Sequence, residues 1–126
     1  MLNIKIKVTN FEKTPAIEDY VYKKISSLEK FLGMEENILC EVELGKTTGH
    51  HKSGDIFRAE VNIVASGNRQ FYTVAEESDL YSAIDIVRDE AEREIISENQ
   101  KHWRLLRKGG AKIKAILKNL TPKRWR

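Results

Sequence analysis

The chain has 126 residues, 40% hydrophobic and 33% charged, the composition of one soluble globular domain with an appendage. No apolar run is long enough to cross a bilayer, no secretory signal is expected of an N-terminus that alternates apolar and basic residues, and the single cysteine, Cys40, rules out an internal disulfide. The formal charge of +3 averages two unlike parts: residues 1–100 hold 12 Lys/Arg against 19 Asp/Glu, a balance of −7, and residues 101–126 hold 10 Lys/Arg and no acid.

An acidic body with a cationic extension points to a compact domain carrying an arm for a polyanion. Nucleic acid is the first candidate, because bound Lys and Arg release its condensed counterions. Anionic lipid is the second. Cys40 lies in an apolar/acidic alternation and reads as a buried strand residue. A reducing, cytoplasmic setting fits this cysteine usage.

Leu2, Ile4, Ile6 and Val8 alternate with Asn3, Lys5, Lys7 and Thr9, which predicts a strand with one buried face. Thr14-Pro15 opens a helix, with Thr as N-cap and Pro at its first position. Ile17, Tyr20, Val21, Ile25, Leu28, Phe31 and Leu32 continue at helical spacing, and Gly33 is placed to end the helix. A second strand is predicted over 37–45, a hairpin loop over 46–54 and a third strand over 56–65. Ser66-Gly67-Asn68 marks a tight turn and 70–75 a fourth strand. Ser78 or Asp79 caps a long second helix, whose stripe is Leu80, Ala83, Ile84, Val87, Ala91 and Ile95.

The order β-α-β-β-β-α predicts an α+β fold: a two-layer sandwich, with a four-stranded sheet and both helices on one face. The second helix outlasts its apolar stripe and runs on to Lys108, where Gly109-Gly110 breaks it. Arg93, Ser97, Lys101, Arg104 and Lys108 there make a mostly cationic stripe. Beyond the glycines, Ile113, Ile116, Leu117 and Leu120 alternate with Lys112, Lys114 and Lys118. This reads as a short basic amphipathic helix that folds on docking. Trp125 lies between Arg124 and Arg126 and suits base stacking or an interfacial anchor; Trp103 suits the same two roles, with packing on the domain as a third. The expected organisation is therefore a domain over 1–108 and a basic tail over 109–126.

Asp79-Leu80-Tyr81-Ser82-Ala83-Ile84-Asp85, opening the second helix of a β-α-β-β-β-α domain, resembles the D-x-Y-x-A-I-D signature of a bacterial family. That family comprises the ribosome hibernation promoting factors and protein Y-like ribosome-associated inhibitors, also labelled sigma modulation proteins. The first helix agrees, with Ala16, Ile17, Tyr20, Val21, Lys24, Leu28, Glu29, Lys30 and Phe31. The resemblance covers roughly 1–101. It implies a stress factor that binds ribosomal RNA of the small subunit, in the channel for messenger and transfer RNA, and so inhibits translation. Lys24, Arg93 and Lys101 match basic positions of the family pattern. Glu90, Ser97, Asn99 and Ser27 stand where the family often has Lys. The body is thus poorer in RNA-binding charge, and the tail is richer. Long members carry a separate C-terminal dimerisation domain, for which residues 101–126 are too short, so none is expected in these residues.

The candidate RNA-binding residues are then Lys23, Lys24 and Lys30 on the first helix and Arg88, Arg93, Lys101, Arg104, Arg107 and Lys108 on the second. Lys112, Lys114, Lys118, Lys123, Arg124 and Arg126 follow in the tail. No metal or other cofactor is expected: His50, His51 and His102 lack ligand spacing. The paired carboxylates lie on helix starts and exposed faces, where general acid/base chemistry has no desolvated pocket. Neither a Gly-rich phosphate loop nor a nucleophile elbow occurs. The expected protein is therefore not an enzyme and has no small-molecule substrate and no membrane insertion. The alternative is a non-catalytic adaptor that docks on a membrane or protein surface through its basic amphipathic tail.

Overall fold

In a computed structural model, residues 2–33, 37–47 and 54–108 are described. The elements are β1 (Leu2–Thr9), α1 (Pro15–Ser26), a 3₁₀ turn (Glu29–Phe31), β2 (Ile38–Thr47), β3 (Ile56–Val64), β4 (Gln70–Glu77) and α2 (Leu80–Lys108). The strands form one sheet in the order β1-β2-β3-β4, with β1 parallel to β2 and the other pairs antiparallel. This is the expected α+β order. The predicted hairpin loop falls largely on 48–53, and the glycine break and basic tail on 109–126; these lie outside the described residues.

Register explains why the sheet has one wet and one dry face. Ile4 pairs with Cys40, Cys40 with Ile63 and Ile63 with Phe71. One step along, Ile6, Val42, Val61 and Thr73 make the next row, and Val8, Leu44, Ala59 and Ala75 the third. Cross-strand partners share a face, so these rows build one apolar surface. Ile17, Val21, Ile25 and Leu28 of the α1 segment and Leu80, Ala83, Ile84, Val87, Ala91 and Ile95 of α2 complete the core with it. Both helices therefore serve the same face. Thr73, the one polar residue in these rows, donates its hydroxyl to the Val87 carbonyl at 3.1 Å, which meets its hydrogen-bonding need inside the core. Cys40 is fully buried, as its alternation predicts, and burial pushes its thiol up to about 12. It is an inert core residue. The opposite face carries Lys5, Lys7, Glu41, Glu43, Arg58, Glu60 and Glu76, with Tyr72 half exposed.

The first helix ends earlier than its periodicity predicts. Past Ser26 the bonds become i→i−3: Leu28 N–H to the Ile25 carbonyl, Phe31 to Leu28 and Leu32 to Glu29. The Ser27 hydroxyl donates to the Lys24 carbonyl at 2.5 Å, a local bond that competes with the helical ladder. The tighter turn still delivers Leu28 and Leu32 to the core. Gly33 follows with φ of 82°, the left-handed conformation that closes the segment. The β3–β4 turn places Gly67 and Asn68 at positive φ and closes with the Ala65 N–H on the Arg69 carbonyl.

The chain divides into two compact units, Met1–Ile95 and Ile96–Arg126. The buried core lies within the first.

Candidate nucleic-acid interface

The heptapeptide that opens α2 is first a structural device. Asp79 accepts the Ser82 N–H at 3.0 Å and the Ser82 hydroxyl at 3.1 Å on Oδ2, and so caps the helix. Ala83 and Ile84 are fully buried. Tyr81 meets Tyr20 of α1 edge to face, with centroids 4.8 Å apart. Asp85, at the end of the motif, accepts the Tyr20 hydroxyl at 2.6 Å and faces the Lys24 ammonium at 3.6 Å. The Lys24 ammonium also lies 5.5 Å from the Tyr20 ring centre. The Asp85 carboxylate, with some help from burial, raises the Tyr20 phenol to about 12. Each polar residue of the motif thus fixes α2 either to its own first turn or to α1.

One turn further along both helices, Lys23 and Lys24 of α1, Ser27 just past its end, and Asp85, Arg88 and Asp89 of α2 line an open hollow of about 370 Å³. The five candidate cations before Ile96 are not alike. Lys23 and Lys30 are exposed, the latter over the Phe31 ring. Lys24 shares its charge with Asp85. Arg93 is exposed. Arg88 is largely covered: only 14% of its side chain is exposed, its Nε donates to the Ser27 hydroxyl at 2.9 Å, and its Nη1 bonds Asp89 at 3.1 Å and Glu92 at 2.6 Å. Its charge is matched within α2 by Asp89 and Glu92, while its Nε reaches across to Ser27. Ser27, where a further Lys was to be expected from the resemblance, is the partner that makes this joint.

Within Ile96–Lys108, Lys101, Arg104 and Arg107 are exposed, and so are Trp103 and Leu105. The Lys108 side chain and the tail cations from Lys112 to Arg126 lie outside the described residues, as do His50 and His51. Among the described residues no three His, Cys, Asp or Glu side chains gather to hold a metal, and no helix is long and apolar enough to cross a membrane.

The sequence did not reveal Tyr20, Tyr81, Ser27 or Asp89 as parts of this surface. Tyr20 and Asp85 are 65 positions apart, and no local pattern announces such a pair. The Arg88–Glu92 pair lies at i and i+4, the spacing that makes side chains neighbours on a helix surface.

Relatives fit this geometry. The Klebsiella oxytoca protein named ribosome hibernation promoting factor is 28% identical over 100 residues, covering 79% of this chain and 96% of its own length. The ribosome hibernation promotion factor of Bacillus subtilis strain 168 is 28% identical over 110 residues, 87% of this chain but 55% of the relative; this chain spans about half that protein. The N-terminal domain of Thermus thermophilus Protein Y superposes with a TM-score of 0.61 at 30% identity, over 74% of this chain and 94% of that one. A ribosomal subunit interface protein from Coxiella burnetii shares the fold, with a TM-score of 0.60 at 15% identity, over 79% of this chain and 99% of that one. The sequence profile of the family described as "Sigma 54 modulation protein / S30EA ribosomal protein" matches residues 4–103, which takes in nearly all of the sheet, α1, the capped heptapeptide and α2 as far as residue 103; the chain belongs to that family.

Proposed function

We propose that the protein is a ribosome hibernation factor of the bacterial cytoplasm, which binds ribosomal RNA of the small subunit in the messenger and transfer RNA channel and blocks translation without chemistry. The family match over 4–103 carries this reading. The relatives' names support it, and so does the sorting of the cations. Lys23, Lys30, Arg93, Lys101, Arg104 and Arg107 are exposed, as phosphate contacts require. Arg88 acts from beneath as a positioning residue, and Lys24 sits between the two roles. Residues 109–126 add six more cations.

Purified protein added to a cell-free translation reaction should inhibit in proportion to its ratio to ribosomes. Inhibition complete at a small fraction of the ribosome concentration would mean turnover, and would overturn the reading. In the same assay, joint reversal of Arg93 and Lys101 to Glu should weaken small-subunit binding strongly and leave the melting temperature nearly unchanged. If the reversal unfolds the domain, these two residues are structural.

A further inference from the structure

Among the described side chains of Ile96–Lys108, two large apolar ones are more than half exposed: Trp103 at 55% and Leu105 at 57%. A soluble helix normally keeps such residues on a shared buried stripe. These two cannot share one, because two residues along a helix turn it by about 200°. A bilayer surface or a protein groove needs a continuous apolar face, and this pair does not supply one. A single aromatic ring with cations around it meets a different need, that of an unstacked nucleobase.

The surrounding charge fits that need. Arg107 lies at i+4 from Trp103 and so neighbours it on the helix surface. Lys101 and Arg104, three apart, form the adjoining stripe, and both are exposed with Arg107. No acid occurs anywhere from Asn99 to the last residue. The His102 ring meets the indole edge to face at 6.3 Å, which steadies its orientation while over half of the residue stays in solvent. The family profile ends at residue 103, so Lys101, His102 and Trp103 fall within it and Arg104 and Arg107 beyond it.

We infer that Trp103 is a stacking platform for an unpaired RNA base, with Arg104 and Arg107 holding the phosphates beside it. The natural RNA rests on the proposed ribosome binding; the stacking chemistry does not.

The full chain carrying Trp125→Phe retains Trp103 as its one indole, which makes fluorescence a direct probe of the platform. Small ribosomal subunits and an unstructured single-stranded oligoribonucleotide should each quench it, and an RNA duplex of equal length should quench it much less. Trp103→Ala should lower single-strand affinity about 5- to 100-fold, with Trp103→Phe recovering most of the loss. Arg107→Gln should make the log–log salt slope shallower by about 0.7. The melting curve should not change, since among the described residues the core ends at Ile95. Equal affinity of Trp103→Ala and its parent would overturn the platform. So would an emission shift on anionic phosphatidylglycerol vesicles without quenching by RNA. Subunits that bind without quenching would refute the platform and leave the ribosome reading intact; quenching by the single strand without subunit binding would do the reverse.

Discussion

The Tyr20 hydroxyl ties α1 to α2 through Asp85 at 2.6 Å, and its phenol is raised from 10.0 to about 12 chiefly by that bond. A hydrogen bond to a charged acceptor at a partly open seam contributes about 1 kcal/mol net. A raised pKa means that the folded state holds its proton more tightly than the unfolded chain does. The contribution is therefore complete below about pH 10 and is lost as pH climbs from there through about 12. Tyr20→Phe should destabilise by about 1 kcal/mol at neutral pH, and the gap to the parent should close across that alkaline window. Urea unfolding of both proteins along a pH series measures it. Cys40, raised from 9.0 to about 12 by burial, weakens both proteins alike as pH rises and cancels in the difference. A gap that stays constant to high pH would show that the phenol is not bonded to Asp85 in solution.

At the scale of elements, each helix start rests on one side chain. Thr14 accepts the Ile17 N–H at 3.2 Å, ahead of Pro15. Asp79 does the same for α2, with its charge set against the positive end of the helix dipole. The sequence left Ser78 and Asp79 equally eligible, and the coordinates choose Asp79. Asp79→Ala should cost about 1 kcal/mol and Ser78→Ala less than half of that. Thermal melts compare the two, and amide exchange at Ser82 reads the lost cap directly. A larger effect from Ser78 would reassign the N-cap. Because the capped heptapeptide also carries Tyr81 and Asp85, loss of the cap should loosen the seam with α1 as well.

At the scale of the molecule, charge and packing are divided along the chain. The first 100 residues are net acidic, while the last 26 are wholly cationic among their ionised side chains. Among the described residues, by contrast, the core ends at Ile95. Ending the chain after Lys108 removes six cations. If about half of those six meet phosphate, the log–log salt slope of ribosome binding should become shallower by about 2 units. Far-UV circular dichroism of the sheet and the melting temperature should hold. Co-sedimentation across a salt series checks this, and identical slopes would remove the tail from the RNA interface.

Period and punctuation were enough to read the strands, the second helix over its described length, and the one-faced core, because period two and period 3.6 follow directly from backbone geometry. The heptapeptide was legible as a family mark, but its work was not. That Asp85 holds Tyr20, that Tyr81 leans on the same ring, and that Arg88 donates to Ser27 depend on where α1 and α2 come together over the sheet. Chain-local patterns cannot encode a partner 61 or 65 positions away. The same reason explains the early end of α1: its apolar spacing continues to Leu32, but the 3₁₀ turn that carries Leu28 and Leu32 inward is set by packing. The sequence by itself determined which faces are apolar and where the positive charge lies. Tertiary structure decided which cations are consumed in joining the helices and which stay open to a partner, since a charge is available only when its neighbours in space leave it so.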